Sequence, residues 1–389
     1  MVAIQRRNPI VTVLIAVFSL AVILSAHFAS PMSPLSNLGM MLQNCDLDAE
    51  LLTTSDLESW HIVDSTIPAK ILWQKAERVQ RPVTHIGSPN TGFVASKGMI
   101  LYWQEGGGDS CDIHPIVVAL DKNTGVEKWR YRPQDLVTEI FAVSDGFVLL
   151  NVLGVVKLNW QGQVVWKQGS IEDIPFRAFN TMHEQAGILY FSAWFGGATY
   201  KLASDTGNLI GSEAIGDVMS LFDNFALLKV GETRLQLVDS SKNNKIHYTI
   251  DLSKDLFKNG YLNSLYPVAI KHRDTLFLFY ESKRVEVYDF NTGQALWQLE
   301  KPIYGIPAFS SDDLLILYSR ESGLELYRAR TGELLGNVKL VRDSSSQNTS
   351  DQMTLFSVWI AADENTVYIR QRDYLELLAI EIDLSTIEQ

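Results

Sequence analysis

VVALDKNTGVEKW at residues 117–129 and VEVYDFNTGQALW at residues 285–297 share one plan. Each opens on a run whose apolar residues alternate with polar ones, the period of a half-buried strand. Each then turns through Asp-x-Asn-Thr-Gly, where Asx oxygens can close the turn and the glycine supplies a left-handed residue. A second run follows and ends in Trp129 or Trp297. The unit is a hairpin. Three further copies are VVKLNWQGQVVW (155–166), TYKLASDTGNLIG (199–211) and LELYRARTGELLG (324–336). A sixth, LQLVDSSKNNKIHY (235–248), places Asn244 where the others have glycine. Asparagine is the non-glycine residue best suited to positive φ. The turn positions 125, 162, 207, 244, 293 and 332 are 37 to 49 residues apart, the period of propeller blades.

Four residues after each turn position stand Trp129, Trp166, Gly211, Tyr248, Trp297 and Gly336. Aromatic residues at one repeated place are expected to pack between neighbouring blades. A seventh blade is split between the ends of the chain. Residues 353–382 carry three strand-like runs without a turn and Trp, while Ala69-Lys70-Ile71-Leu72-Trp73 repeats the spacing upstream. A strand from this segment would close the ring and remove its open edges. The expectation is an all-β, seven-bladed propeller over residues 69–389.

An alternating run, D-x-x-T-G-x-x-x-W and a following strand resemble the pyrroloquinoline-quinone-like (PQQ-like) repeat family of β-propellers, best at Asp121–Trp129 and Asp289–Trp297. The resemblance implies the fold more than the function, because the family includes quinone-dependent dehydrogenases, envelope scaffolds and sensor ectodomains. Its enzymes have eight blades, adjacent cysteines beside the quinone, and a metal held by Glu, Asn and Asp. Here Cys45 and Cys111 are far apart, and no repeat carries such a ligand cluster. G-x-S-x-G, H-E-x-x-H and P-loop motifs are absent, and the seven histidines lack metal-ligand spacing. The expectation is a chain without cofactor and without catalysis.

Residues 10–26, IVTVLIAVFSLAVILSA, hold no charge, and extension to Ala29 gives spanning length. Arg6 and Arg7 precede the run and no acidic residue occurs before Asp46, which places residues 1–9 in the cytoplasm and the rest outside. Cleavage after Ala26 or Ala29 would set Leu24 or His27 at the third position back, a poor signal-peptidase site. Residues 10–29 therefore read as an uncleaved signal anchor, and the Ser-, Pro- and Asp-rich residues 30–68 as a stalk. Outside the membrane a Cys45–Cys111 disulfide is permitted, and the sequence leaves their pairing open. The chain has 33 Lys and Arg against 45 Asp and Glu, a net charge of −12 with no basic patch, which excludes a nucleic-acid partner.

If strands run from the inner to the outer edge of each blade, the T-G turns join third to fourth strands on one face. Second-to-third and blade-to-blade connections then share the other face. The long irregular segments 106–115, 193–198, 253–267 and 341–352 all fall there, and long loops on one face are where propellers carry function. In GGGDSCDIHP (106–115), Asp109, Asp112 and His114 read either as hard ligands for a divalent ion or as a solvated turn-rich loop. Trp194 and Phe195, before Gly196-Gly197, suit a flat hydrophobic contact, sugar stacking or core packing. The function these features favour is recognition of a protein or glycan by a membrane-anchored module. The alternatives are a ligand-sensing ectodomain with a pocket in the central channel, or an enzyme with ionisable groups converging at the channel mouth.

Overall fold

The computed structural model describes residues 60–76, 93–104, 116–134, 137–151, 154–169, 179–193, 198–231, 233–252, 268–280, 284–301, 303, 305, 307–319, 321–342, 358–371 and 376–386. Their strands form seven antiparallel sheets. Blades 1 to 6 cover 93–131, 137–168, 179–214, 217–251, 268–300 and 308–342, and blade 7 begins at 358–382. Within each blade consecutive strands are neighbours, so the first is innermost and the fourth outermost. First strands touch between blades 1 and 2, 3 and 4, 4 and 5, and 6 and 7, and Val358–Asp363 of blade 7 touches Phe93–Ser96 of blade 1, which completes the ring. The apolar cores lie between blades: Val148, Leu150 and Trp166 of blade 2 pack with Leu189, Phe191 and Leu202 of blade 3.

The turns have the chemistry expected of them. Asp121 Oδ1 accepts hydrogen bonds from the backbone N–H of Asn123 (3.0 Å) and Thr124 (3.1 Å) and from the Thr124 hydroxyl (3.1 Å). Asp289 does the same for Asn291 and Thr292. Gly125 and Gly293 have φ of 69° and 72°, and in the degenerate copy Asn243 and Asn244 adopt 59° and 57°.

Each repeat tryptophan packs on the turn of the next blade. The indole Nε1 of Trp73, Trp129, Trp166 and Trp297 donates to the carbonyl of Lys122, Trp160, Ser204 and Ala329, at 2.9–3.0 Å. A Cβ added to Gly125, Gly162, Gly207 or Gly332 would come within 2.5–2.8 Å of that same ring, and one at Gly293 within 2.6 Å of Tyr248. The turn glycine is thus required twice, for its positive φ and for the room it leaves. Tryptophan and glycine, distant in sequence, work as one clasp between blades.

Ring closure occurs as the sequence implies. Ala69–Ala76 pairs antiparallel with Glu376–Ile382, with Trp73 opposite Ala379, and becomes the outermost strand of blade 7. The segment read as stalk departs from expectation at its end. Trp60–Val63 is a strand that adds a fifth member to blade 6, against Lys339–Arg342. Beyond it Thr66 N–H donates to Asn337 O (3.0 Å), Asn337 N–H donates to Thr66 Oγ1 (2.8 Å), and Ile67 is buried. Ile67 sits over Gly336, where an added Cβ would meet it at 2.5 Å. Blade 6 lacks its tryptophan, and this segment seals the gap. Four residues are too few to show alternation, and their partner lies at the far end of the chain, so the strand was invisible locally. The anchor at 10–29 and the remainder of the stalk lie outside the described residues; among those described, no helix is long and apolar enough to cross a membrane.

Candidate functional site

The sheet order fixes which connections share a face. First-to-second and third-to-fourth turns lie together, and none exceeds five residues. Second-to-third and blade-to-blade connections lie on the opposite face, and 106–115, 193–198, 253–267 and 341–352 belong to these. Asp109, Asp112, His114, Trp194 and Phe195 fall outside the described residues, as do Cys45 and Cys111. The strand ends that bear those segments are described, and they supply the frame of the site.

On blades 1 to 3 this frame carries unmet hydrogen-bonding demand. Trp103, next to the last residue before the 105–115 segment, buries its Nε1 without a hydrogen-bond partner among the described residues. Asn151 Oδ1 at the end of the second strand of blade 2 does the same, as do Ser192 Oγ and Thr199 Oγ1 on either side of 194–197 in blade 3. A buried polar group without a partner costs roughly 1–3 kcal/mol. These four atoms stand at strand ends of one face; Thr199 Oγ1 also lines a cavity between blades 3 and 4, and the other three are left to the connections above them or to what those connections hold.

On blades 5 and 6 the carboxylates of the same frame are saturated, although Arg284 Nε has no hydrogen-bond partner among the described residues. Glu286 accepts hydrogen bonds from the hydroxyls of Tyr280 (2.7 Å) and Tyr288 (3.0 Å) and pairs with Arg284, whose guanidinium also lies 5.3 Å from the Tyr280 ring centre. Burial, reinforced by the Glu286 carboxylate, pushes both hydroxyls far above the usual tyrosine range. Seven residues before the next turn glycine, Glu325 repeats the arrangement with Tyr327 (2.8 Å), Ser322 and Lys301. Burial opposes its ionisation, yet the hydrogen bonds from Lys301, Ser322 and Tyr327 prevail and hold its carboxyl below the usual value. These carboxylates have their acceptor positions filled by hydroxyls and cations, so they brace strand ends and offer no base to a substrate. Sequence reading passed over them, although a glutamate in the same frame of two apolar runs, VEVY and LELY, was the available signal. Among the described residues no group of three His, Cys, Asp or Glu is placed to hold a metal ion.

No family model and no curated protein matches the chain. Solved structures similar to it include the WD40 domain of Pan2 from Neurospora crassa, with 9% identity over 82% of this chain and 97% of that one at a TM-score of 0.58. BamB from Moraxella catarrhalis aligns at 12% identity over 81% of this chain and 100% of that one, with a TM-score of 0.49. The computationally designed Ika8 protein aligns at 12% over 78% and 98%, with a TM-score of 0.48. At such identities the Pan2 likeness shows the fold alone. The chain is a seven-bladed β-propeller, with short turns on one face and long connections on the other.

Proposed function

We propose that this chain is a membrane-anchored, extracytoplasmic propeller of the PQQ-like repeat type that holds a protein or glycan partner on its long-connection face and performs no catalysis. The D-x-x-T-G-x-x-x-W repeats support the affiliation. One observation carries the functional reading: the long connections share one face, and on that face Trp103, Asn151 and Ser192 bury polar atoms that have no hydrogen-bond partner among the described residues. Packing alone gives no reason for that asymmetry, whereas recognition does. The net charge of −12 favours a basic or polar partner, with capture that weakens as salt shortens the Debye length.

Replacing 106–115 with a short Gly-Ser turn is expected to abolish partner capture, read by crosslinking in intact membranes, and to leave the melting temperature within about 5 °C, since no described strand is touched. Capture that survives this change but fails in Asn123→Lys, on the short-turn face, would move the site to the other side. The anchor has its own test. Carbonate-washed membranes should retain the chain with its N-terminal peptide detectable by mass spectrometry, and a soluble product beginning near Ser30 would refute it.

A further inference from the structure

Six of the seven blade junctions are sealed at one repeat position. The indoles of Trp73, Trp129, Trp166 and Trp297, the Tyr248 ring and the Ile67 side chain fill them. At the junction of blades 3 and 4 that position is Gly211, and a Cβ built there would meet nothing within 4 Å. A cavity of about 220 Å³ lies in this junction, lined by His183, Tyr190, Thr199 and Lys201 of blade 3 and by Asp223 and Phe225 of blade 4.

The neighbouring residues have adjusted to the missing ring. At the junction of blades 2 and 3, Lys157 pairs in register with Trp166 and is fully buried, its Nζ held by Asp145 (2.9 Å) and the Ser204 carbonyl (2.7 Å). Its counterpart Lys201 pairs with Gly211, is partly exposed, and donates to Glu213 (2.8 Å). The facing turn is one residue longer than in blade 1 and carries Asn243 and Asn244 at positive φ. Their side chains are tolerated because no ring lies on that turn. Loss of the tryptophan and loss of the glycine are one change.

Two polar atoms in the cavity have no hydrogen-bond partner among the described residues, Thr199 Oγ1 and His183 Nε2. His183 Nε2 lies 3.7 Å from Asp223 Oδ1, and Asp223 is itself engaged by Lys271 at 3.1 Å. Burial lowers the His183 pKa against the pull of Asp223 and Glu184.

We propose that the junction of blades 3 and 4 is a socket for a single indole, the side chain of a tryptophan presented by a partner protein. The cavity is smaller than the roughly 300 Å³ at which pockets for whole small molecules begin, and it suits one ring. Four of the other junctions hold an indole in the same repeat frame. Tyr190 and Phe225 supply aromatic walls. A buried indole N–H requires an acceptor, and Thr199 Oγ1 is an acceptor in the cavity that has no hydrogen-bond partner among the described residues. Asn243 and Asn244 replace the turn glycine, and Ser240 and Ser241 of the same turn lie at the cavity beside those walls. The inference takes from the proposed function only that the partner is a protein, and the socket is testable without one.

The test is a fluorine NMR titration of 5-fluoroindole into the full chain. Saturable one-site binding is expected. Gly211→Trp builds the missing ring into the chain and should weaken binding by at least about 10-fold. Should that variant lose its cooperative melt, Thr199→Ile, which narrows the cavity from the neighbouring strand of blade 3, takes its place with the same expected loss. Absence of saturable binding, or equal binding in wild type and the folded variant, would overturn the proposal. So would binding of N-acetylglucosamine with none of 5-fluoroindole, which would assign the cavity to a glycan. The 106–115 replacement should bind 5-fluoroindole like wild type, so failure of the long-connection face and failure of the socket are read separately.

Discussion

Deletion of residues 1–75 is expected to abolish cooperative unfolding and drive the chain into aggregates, the largest effect of any change considered. The deletion takes all but the last residue of Ala69–Ala76 from blade 7 and leaves Glu376–Ile382 as an open edge. It also removes the Trp73 indole, which donates to Lys122 O at 3.0 Å, covers Gly125 and lies 6.2 Å from the Tyr368 ring. Blades 7 and 1 lose their clasp together. A native domain is stable by only about 5–15 kcal/mol, and loss of a whole strand with its buried ring is of that order. An exposed edge is in addition a template for pairing with another chain. Deletion of residues 1–59 leaves every described strand in place and should melt as the full chain does. Deletion of 1–66 is intermediate, because Trp60–Val63 and the Thr66 hydrogen bonds to Asn337 leave blade 6 while Ile67 and the closing strand remain. Thermal melts and size-exclusion profiles of the three truncations decide the matter, and identical melting of 1–59 and 1–75 deletions would disprove closure.

Trp166→Ala should cost about 3–5 kcal/mol, more than the same change at any other repeat tryptophan. Trp166 is 8% exposed, whereas Trp129 and Trp297 are only half-buried. Its removal opens a cavity against Leu189 and Phe191, orphans the Ser204 carbonyl of one donor at 2.9 Å, and lets water reach Lys157, whose ammonium is held by the same carbonyl. The reciprocal change, Gly207→Ala, should be destabilising as well, since φ is 72° there and the new Cβ would lie 2.5 Å from the Trp166 ring. The two changes share one contact, so their effects should be less than additive when combined. Denaturant midpoints of the single and double variants measure this directly. Full additivity would show that ring and glycine do not act together.

The blades were legible because each is local. A hairpin of 13 residues contains its alternation, its Asp cap, its glycine and its tryptophan, and the six copies could be aligned without knowing what touches what. Asn244 was legible as a positive-φ residue on the same ground, and its φ of 57° agrees. The split last blade was found by what residues 353–382 lacked and residues 69–73 supplied. The frame beneath the long connections was not legible. Orphaned Trp103, Asn151, Ser192 and Thr199 and saturated Glu286 and Glu325 differ only in which neighbours reach them, and those neighbours belong to other strands.

The sequence by itself determined the repeat, its turn chemistry, the number of blades, the closing strand and the face on which the long segments fall, because all of these follow from spacing along the chain. Tertiary structure alone decided that Trp60–Val63 joins blade 6, that Ile67 substitutes for a missing ring over Gly336, and that the Cβ position at Gly211 meets nothing within 4 Å. In one-dimensional order Gly211 and Gly336 are the same departure from the repeat. They differ because one junction is reached by Thr66 and Ile67 and, among the described residues, nothing comes within 4 Å of the Cβ position at the other; whether a vacated volume is filled depends on what the surrounding chain places there in space.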